Sequence, residues 1–229
     1  GSAMVEVRRG GTSRNIVFTG DLGNSPSPLL RDTEAITDAT YLVMESVYGD
    51  RNHEEQSERR KRRAQAVREN AACGGVLLIP SFSIEKTQVI LSELDDLLDE
   101  QKIPATPVYL DSPLAIKVTE VYKKYLPEFK QDLFSFKRLN ITLSREESQA
   151  IFHNPSPKII IAGSGMSEGG RIVEHERRFL TDPQNTILFV GYQAVGSLGR
   201  RIQEGVKKMQ IGHEGLVIRA RVSTISGYS

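Results

Sequence analysis

The two carboxylates best placed for chemistry, Asp21 and Glu45, each follow a short apolar run of the chain. The first run reads Asn15-Ile-Val-Phe-Thr-Gly-Asp-Leu-Gly23, and the second reads Tyr41-Leu-Val-Met-Glu-Ser-Val-Tyr-Gly-Asp50. Short β-branched and aromatic runs that stop at glycine predict buried strands followed by turns. Both acids are then expected at the ends of strands, where a carboxylate can bind a metal ion or orient a catalytic base. The alternative is that Asp21 caps a helix and Glu45 makes an ordinary surface pair.

A second group of candidates lies in four turns, each of which contains serine and connects an apolar strand to a helix. The turns are Pro80-Ser-Phe-Ser83, Asp111-Ser-Pro113, 163–170 and 191–197. Serine offers a hydroxyl, glycine lets backbone N–H groups approach an anion, and a helix N-terminus adds about half a positive charge. Because open α/β sheets bind ligands at the carboxyl ends of their strands, the four turns predict a phosphate-accepting rim. The alternative is that serine and glycine serve there only as turn and cap residues.

The candidate RNA- or phosphate-binding residues of this rim share a turn or the first turn of the following helix. Phe82 is a candidate for stacking on a base of single-stranded RNA, or else a core residue. The full set is Ser81, Phe82, Ser83, Lys86, Ser112, Ser164, Gly165, Met166, Ser167, Arg171, Gly196, Ser197 and Arg200.

The elements that must position these residues alternate between apolar strands and amphipathic helices. Such alternation predicts an α/β fold with a parallel sheet covered by helices on both faces. Three further strands are expected before residue 50, and two antiparallel strands around 208–211 and 216–224. The predicted strands of the parallel sheet are 75–80, 107–111, 158–163 and 186–191. The predicted helices include 84–100, a helix that starts at Ser112-Pro113 with Ser112 as its N-cap, 144–152, 171–180 and 197–204. Ser144 and Glu147 form the expected capping box of the helix 144–152.

Residues 51–70 predict a polar helix with seven basic and four acidic residues, a net charge of +3. We interpret the basic run as a solvated face with ion pairs such as Glu55–Arg59 and Glu58–Arg62. A phosphate-tracking face is the alternative. His175 is interpreted as a solvent-facing or packing residue, because no second metal ligand is near in sequence.

The composition sets limits on the class of protein. A chain of 229 residues with 38% hydrophobic residues can build a packed core, and a net charge of +1 gives no overall field to attract nucleic acid. Any attraction to phosphate must therefore be local. The single cysteine, Cys73, excludes an internal disulfide and is typical of a cytoplasmic protein. No apolar run approaches the roughly 20 residues of a membrane span.

The motifs Thr19-Gly-Asp-Leu-Gly23 and Glu45-Ser-Val-Tyr-Gly-Asp50, at this interval, resemble those of the β-CASP family of metallo-β-lactamase-fold RNA-processing nucleases. That family includes ribonuclease J and the cleavage subunit of the pre-mRNA 3′-end machinery. The resemblance implies that residues 1–50 are the C-terminal strands of the first metallo-β-lactamase half-domain, of αββα type, and that residues 51–229 form the β-CASP domain. It also implies that the loops 163–171 and 191–200 line the cleft that holds RNA.

The same resemblance implies two zinc ions, with Asp21 bridging them and Glu45 orienting a histidine that protonates the leaving oxygen. The family's His-x-His-x-Asp-His motif is absent, however, and none of His53, His153, His175 and His213 has a second histidine within five residues. We therefore expect a piece of a zinc-dependent RNA-processing nuclease that supplies the RNA-clamping domain, binds zinc poorly and lacks nuclease activity alone. A homodimer is left open. The alternatives are a catalytically dead scaffold that binds RNA or a partner, and a generic phosphate-binding α/β module, although no Gly-x-Gly-x-x-Gly or Walker loop is present.

Overall fold

The structure is a computed structural model that describes residues 2–23, 27–50, 52, 55–125, 134–211 and 214–227. The chain divides into two compact units, Gly1–His53 and Glu54–Tyr228. Each unit is described by itself.

The first unit contains a three-stranded sheet in the order β1-β2-β3. β1 (Val5–Arg8) pairs with β2 (Asn15–Phe18) in an antiparallel hairpin, whose turn includes Gly11 at φ +78°. β2 then pairs in parallel with β3 (Tyr41–Val43), so that Phe18 lies opposite Val43. The Asn15 side chain supports this pairing, since its Oδ1 accepts a 2.7 Å hydrogen bond from the Thr40 N–H.

The second unit contains six parallel strands in the order β11-β8-β4-β7-β5-β6. The predicted helix-covered parallel sheet is confirmed, and two strands join the four expected from the sequence. The strands are β4 (Val76–Pro80), β5 (Val108–Asp111), β6 (Leu139–Ile141), β7 (Lys158–Ala162), β8 (Thr186–Phe189) and β11 (Arg221–Thr224).

Six helices accompany these strands in the described part of the second unit. They are α1 (Gln56–Ala72), α2 (Lys86–Asp99), α3 (Pro113–Tyr125), α4 (Arg145–Ala150), α5 (Arg171–Phe179) and α6 (Leu198–Gln203). The central strands β4 and β7 are buried at every position, because helices cover both faces of a parallel sheet. The apolar core extends from these strands to Ile172 and Phe179 of α5 and Ile202 of α6. Within the described residues, no helix is both long enough and apolar enough to cross a membrane.

Capping side chains fix several helix starts where the sequence predicts them. The Ser144 hydroxyl accepts from the Glu147 N–H at 3.0 Å, and the Glu147 carboxylate accepts from the Ser144 N–H at 3.1 Å, which completes the predicted capping box. Ser112 accepts from the Ala115 N–H at 3.3 Å and so caps α3 as predicted. These bonds orient the first turns of both helices.

The end of the chain differs from the expected pair of antiparallel strands. β9 (Lys208–Ile211) does form an antiparallel ladder, but its partner is β10 (Glu214–Val217). The apolar run that follows is interrupted at 218–220, where the Arg219 and Ala220 N–H groups both donate to the Leu180 carbonyl. After this interruption β11 joins the main sheet parallel to β8, so the prediction of one strand over 216–224 is wrong.

The basic helix α1 is also different from the expected solvated face. The Arg63 side chain is fully buried and lies 2.6 Å from the Glu93 carboxylate of α2, and Arg59 is buried as well. Arg62 donates to the Thr224 carbonyl of β11 at 2.8 Å. The interpretation as a solvated charge run is therefore wrong for these positions, because Arg59 and Arg63 are buried and the partners of Arg62 and Arg63 lie far away in sequence.

Candidate functional site

Four loops that all contain serine, two of which are also rich in glycine, lie side by side at the carboxyl edge of the six-stranded sheet. They follow β8, β4, β7 and β5, which are consecutive neighbours in the sheet. The loops touch one another. The Ser81 N–H donates to the Ala162 carbonyl at 3.0 Å, and the hydroxyls of Ser83 and Ser112 are 3.4 Å apart. We call residues 81–86, 112–113, 163–170 and 191–197 the rim.

Phe82 and Lys86 form the centre of the rim. A Cβ added to Gly165 would lie 2.6 Å from the Phe82 ring, and one added to Gly191 would lie 2.9 Å from the Lys86 amine. The two glycines therefore let the ring and the amine approach the backbone of both neighbouring loops. The Lys86 amine also lies 5.0 Å from the centroid of the Phe82 ring, within the range of a cation–π contact.

Charge at this centre is shaped by burial. Burial lowers the pKa of Lys86 from its ordinary value, and the neighbouring Glu85 carboxylate acts in the opposite direction. Glu85 and the exposed Glu168 are the acidic residues of the rim. The rim thus presents one half-buried cation, with an acid next to it in sequence.

The loop 163–170 is held from three directions. Within the loop, the Ser164 N–H donates to the Gly169 carbonyl at 3.0 Å. From the next loop, the buried Gln193 amide donates to the Gly165 carbonyl at 2.8 Å. From α6, the Gly199 N–H donates to the Met166 carbonyl at 3.0 Å. The loop is therefore an ordered platform whose carbonyl groups are largely committed to the protein.

A buried acid lies against this loop. Ser167 has φ +62° and its hydroxyl donates to the Glu176 carboxyl of α5 across 2.5 Å. Glu176 is fully buried. Burial raises the pKa of the Glu176 carboxyl to about 8, although the hydrogen bond from Ser167 acts to lower it. Glu176 is thus mostly protonated in the folded protein at pH 7.

A second buried carboxylate, Asp111 at the end of β5, binds four side chains that come from the helices α4 and α5 and from the β6–α4 loop. Its Oδ1 accepts from Arg171 and Thr142 at 2.6 Å each. Its Oδ2 accepts from Ser148 at 2.5 Å and lies 2.7 Å from His175 Nε2. Burial alone would raise the pKa of Asp111, but the bonds from His175, Ser148, Thr142 and Arg171 outweigh it and lower the pKa to about 2. Asp111 is therefore ionised and ties β6, α4 and α5 to the edge of the sheet.

This network changes the interpretation of two residues. Arg171 was a candidate phosphate ligand, but its guanidinium donates to Asp111 and to the carbonyls of Thr142 and Leu143, at 2.6 to 3.0 Å. The N–H groups of the Arg171 guanidinium are therefore largely engaged by the protein and are not free to bind a phosphate as a pair. His175 does not face solvent: it is fully buried and stacks on Phe179 with ring centroids 6.2 Å apart. The packing interpretation of His175 is confirmed, with a specific acid as its partner.

The remaining predicted rim residues divide by exposure. Ser81, Ser112, Ser167 and Ser197 are buried, and their hydroxyls bond to other protein atoms. These four shape the rim more than they offer groups to a ligand. The accessible candidates are Phe82, Ser83, Lys86, Ser164, Met166, the exposed Gly196 at φ +88°, and Arg200, whose Nε donates to Glu204 at 2.7 Å.

Asp21 and Glu45 lie in the first unit, beyond the ends of the parallel neighbours β2 and β3. The Thr19 N–H donates to the Val43 carbonyl at 3.0 Å, which continues the parallel pairing past both strands. Asp21 follows Thr19 by two residues, and Glu45 follows Val43 by two. Both acids therefore emerge at the same edge of the small sheet. The Glu45 carboxylate accepts a 3.0 Å bond from the Val47 N–H, and Asp21 is exposed.

A metal site is not complete within the described residues. They contain no group of three or more His, Cys, Asp or Glu side chains that could hold a metal ion. His53 and His213 lie outside the described residues, and His153 is an exposed residue in the turn after α4. Asp21 can supply one ligand, whereas a zinc site needs at least three from the protein.

Sequence reasoning missed Asp111, Gln193 and Glu176. Asp111 carried a usable signal, because it ends an apolar strand just as Asp21 does. Glu176 carried one as well, because it shares the buried face of α5 with Ile172 and Phe179, at helical spacing. Gln193 carried none, since its partners come from a loop 28 residues earlier.

The chain is similar to proteins of known family. A family profile described as the Beta-Casp domain matches residues 87–202. A protein named Ribonuclease TTHA0252 from Thermus thermophilus is 34% identical over 239 residues, covering 100% of this chain and 54% of the relative. A transcription termination factor FttA from Pyrococcus abyssi is 34% identical and covers 100% of the chain and 38% of the relative. An RNase J-like protein from Methanocaldococcus jannaschii is 31% identical over 98% of the chain and 54% of the relative. The chain thus spans about half, or less, of the length of these relatives.

Proposed function

Because the chain belongs to the β-CASP family of RNA-processing nucleases, we propose that it forms the RNA-holding part of a ribonuclease that hydrolyses phosphodiester bonds. The observation that carries this proposal is the adjacency of the four rim loops on β8, β4, β7 and β5. An anion that reaches this edge meets hydroxyls, glycine backbone and helix N-termini together.

The proposed ligand is single-stranded RNA. Helices α2, α3 and α5 begin at the rim, so the partial positive charges of three N-termini converge there. The Lys86 amine adds a full charge, and the half-buried Phe82 ring offers a face on which a base can stack. Stacking tolerates any base sequence, which suits an enzyme that holds RNA of varied sequence.

Zinc chemistry is proposed for the longer protein only. The described residues do not fit a zinc site on their own, since Asp21 is a single ligand and no cluster surrounds it. We propose that Asp21 contributes one ligand to a pair of zinc ions and that Glu45 orients a histidine, with the other ligands supplied from outside the described residues. In that setting bound zinc would activate a water molecule for attack on the phosphodiester. A cytoplasmic location and the absence of nuclease activity in this chain alone belong to the same proposal.

A binding experiment tests the proposed function directly. Fluorescence anisotropy of a labelled single-stranded RNA twelve-mer is measured with the 229-residue chain over a series of NaCl concentrations. We expect Phe82→Ala to weaken binding about 5- to 150-fold, the range given by 1–3 kcal/mol for one stacked base. We expect Lys86→Ala to reduce the slope of log Kd against log salt by about 0.7, the value for one contact to a single strand.

The matched control is Lys102→Ala. Lys102 is an exposed lysine beyond the C-terminus of α2, at the opposite edge of the sheet from Lys86. Its loss should leave both affinity and salt slope unchanged. Equal effects of the two lysine variants would show that RNA binds through diffuse charge, and the rim proposal would be wrong. Tight binding of a free nucleotide with no RNA binding would favour the phosphate-binding module instead.

The zinc proposal has a separate test. The chain is loaded with zinc, dialysed, and analysed for bound metal and for cleavage of the same RNA. We expect substoichiometric zinc and no cleavage. Stoichiometric zinc together with cleavage that Asp21→Ala abolishes would overturn the proposal that this chain is inactive alone.

A further inference from the structure

The acid beneath the rim, Glu176, is an unusual group for a buried position. Its side chain is fully buried, and Ile172, His175 and Phe179 on the same helix are buried as well. Oε1 accepts the Ser167 hydroxyl, while Oε2 is buried without a hydrogen-bond partner among the described residues. A buried polar atom left without a partner costs about 1–3 kcal/mol, more if it carries charge. The site therefore tolerates the neutral carboxyl much better than the carboxylate.

The bond between Glu176 and Ser167 fixes a loop residue that is under conformational constraint. Ser167 is a non-glycine residue at φ +62°, a region that L-residues adopt only when other contacts hold them there. The residues next to it, Ser164 and Glu168, are linked through the Glu168 N–H, which donates to the Ser164 hydroxyl at 3.2 Å. Loss of the anchor under Ser167 would release this part of the loop, which includes accessible rim residues.

The charged groups on the surrounding elements are engaged elsewhere or exposed. On α5, Arg171 and His175 bind Asp111, and Arg177 binds Glu174 and the Ile211 carbonyl.

On the elements packed around α5, β4 has no titratable residue, and Lys158 of β7 donates to the carbonyls of Ile151 and Asn154. On α6, Arg200 binds Glu204, and Arg201 is exposed, as is Arg178 on α5. The pKa of Glu176 is accordingly set by burial and by Ser167, with no charged neighbour contributing.

We propose that Glu176 is the positioning residue of the 163–170 loop: its neutral carboxyl stays buried against Ser167 and keeps the loop in the RNA-binding shape. The ionised carboxylate is a stronger acceptor for the Ser167 hydroxyl, but its unpartnered Oε2 must then be hydrated, and water reaches it only when the loop opens. This inference rests on the proposed function, because the loop matters for binding only if the rim holds RNA. Since burial raises the pKa of Glu176 to about 8, the release falls between about pH 7 and pH 9. By linkage, RNA that binds the closed loop stabilises the protonated acid, so RNA binding takes up protons in this window.

Two readouts are measured from pH 6.5 to pH 9.5, with Glu176→Gln as the permanently neutral variant. The first is the backbone amide NMR shift of Ser167 and Glu168, which reports the loop without RNA. The second is the Kd for the single-stranded RNA twelve-mer. In the unmodified chain we expect the loop shifts to titrate with a midpoint near pH 8 and the RNA affinity to fall at least fivefold across the range. In Glu176→Gln we expect the loop titration to vanish and most of the affinity loss with it.

Glu174→Gln is the matched control, because Glu174 lies on the same helix but its side chain is 56% exposed and bonds to Arg177. This variant should behave as the unmodified chain does. The lowered pKa of Lys86 also contributes to the fall in affinity at high pH, and that contribution persists in Glu176→Gln. Ser167→Ala should loosen the loop at every pH and leave the RNA affinity low and nearly independent of Glu176.

The outcomes separate the two proposals. If no variant binds RNA at any pH while the loop shifts still titrate through Glu176, the proposed function is wrong and the control of the loop by Glu176 stands. If Glu176→Gln keeps the loop titration or the full pH dependence of RNA affinity, the positioning role is wrong. Should Glu176→Gln fail to fold, the carboxyl shift of Glu176 in the unmodified chain decides: an ordinary pKa near 4.5 overturns the inference.

Discussion

Replacement of Asp111 by asparagine should destabilise the second unit strongly. Asp111→Asn keeps the shape of the side chain but removes the charge that Arg171 and His175 approach within 2.7 Å. It also places an amide N–H₂ where an oxygen accepted hydrogen bonds. Breaking a buried ion pair by changing one partner typically costs about 3–5 kcal/mol, and we expect a loss in this range at pH 7.

The pH dependence gives a second, independent magnitude. The pKa of Asp111 is about 2 in the folded protein and ordinarily 3.8. A lowered folded pKa stabilises the protein above the unfolded pKa, and this stabilisation is lost as the pH falls towards 2. The full contribution to the free energy of unfolding is about 2 kcal/mol, of which about 1 kcal/mol is lost by pH 3. Because the asparagine variant lacks this group, the gap between the two proteins should narrow by about 1 kcal/mol from pH 7 to pH 3.

Urea denaturation followed by circular dichroism at 222 nm is a suitable assay. The described helices all lie in the second unit, so the helical signal reports mainly on the part that contains Asp111. Asp99→Asn, at an exposed acid that ends α2, is the control and should change stability by less than about 0.5 kcal/mol. A loss below about 1 kcal/mol in Asp111→Asn at pH 7, or a gap that stays constant down to pH 3, would refute the reasoning.

Three further predictions concern packing at other positions. Arg63→Met should cost about 3–5 kcal/mol in urea denaturation, because it leaves the Glu93 carboxylate without the buried guanidinium 2.6 Å away, and adding Glu93→Met should restore most of the loss. Gly165→Ala should displace the Phe82 ring, since the new Cβ would lie 2.6 Å from it, and we expect RNA affinity to fall about fivefold or more with an unchanged circular dichroism spectrum. Ser144→Ala should remove the capping bond to α4 and cost about 1 kcal/mol of stability. This loss should lower the Tm by about 2–4 °C. A Tm within about 0.5 °C of that of the unmodified chain would contradict the assigned cap.

Features that depend on neighbours in sequence could be predicted from the sequence. The continuous apolar runs of β4 and β7 identified buried parallel strands, and Ser144 with Glu147 identified a helix start. The edge of the sheet that carries the rim followed from a general rule for parallel strands. In each case the interaction that forms the element involves residues close together in sequence, so the local sequence pattern is enough to predict it.

Features that depend on distant partners could not be predicted. Asp111 and His175 are 64 residues apart in the chain, and no local pattern indicates that they meet. The burial of Arg63 on a helix with a strongly polar sequence has the same origin, since Glu93 of α2 supplies the charge that makes burial tolerable. The local sequence of Arg171 is typical of a phosphate ligand, but its acid partner, Asp111, lies 60 residues earlier in the chain.

The order of the strands has a consequence for how the protein is made. β4 lies at the centre of the sheet, and both of its neighbours, β7 and β8, come much later in the chain, with Val76 opposite Lys158. A ribosome that synthesises the chain from its N-terminus therefore releases an entirely apolar strand long before either partner exists. Such delayed pairing slows folding and leaves hydrophobic surface exposed to solvent. Chaperones bind exposed hydrophobic surface of this kind. The rim should therefore become ordered in one late step, after both neighbours of β4 have been synthesised and the sheet has formed around this strand.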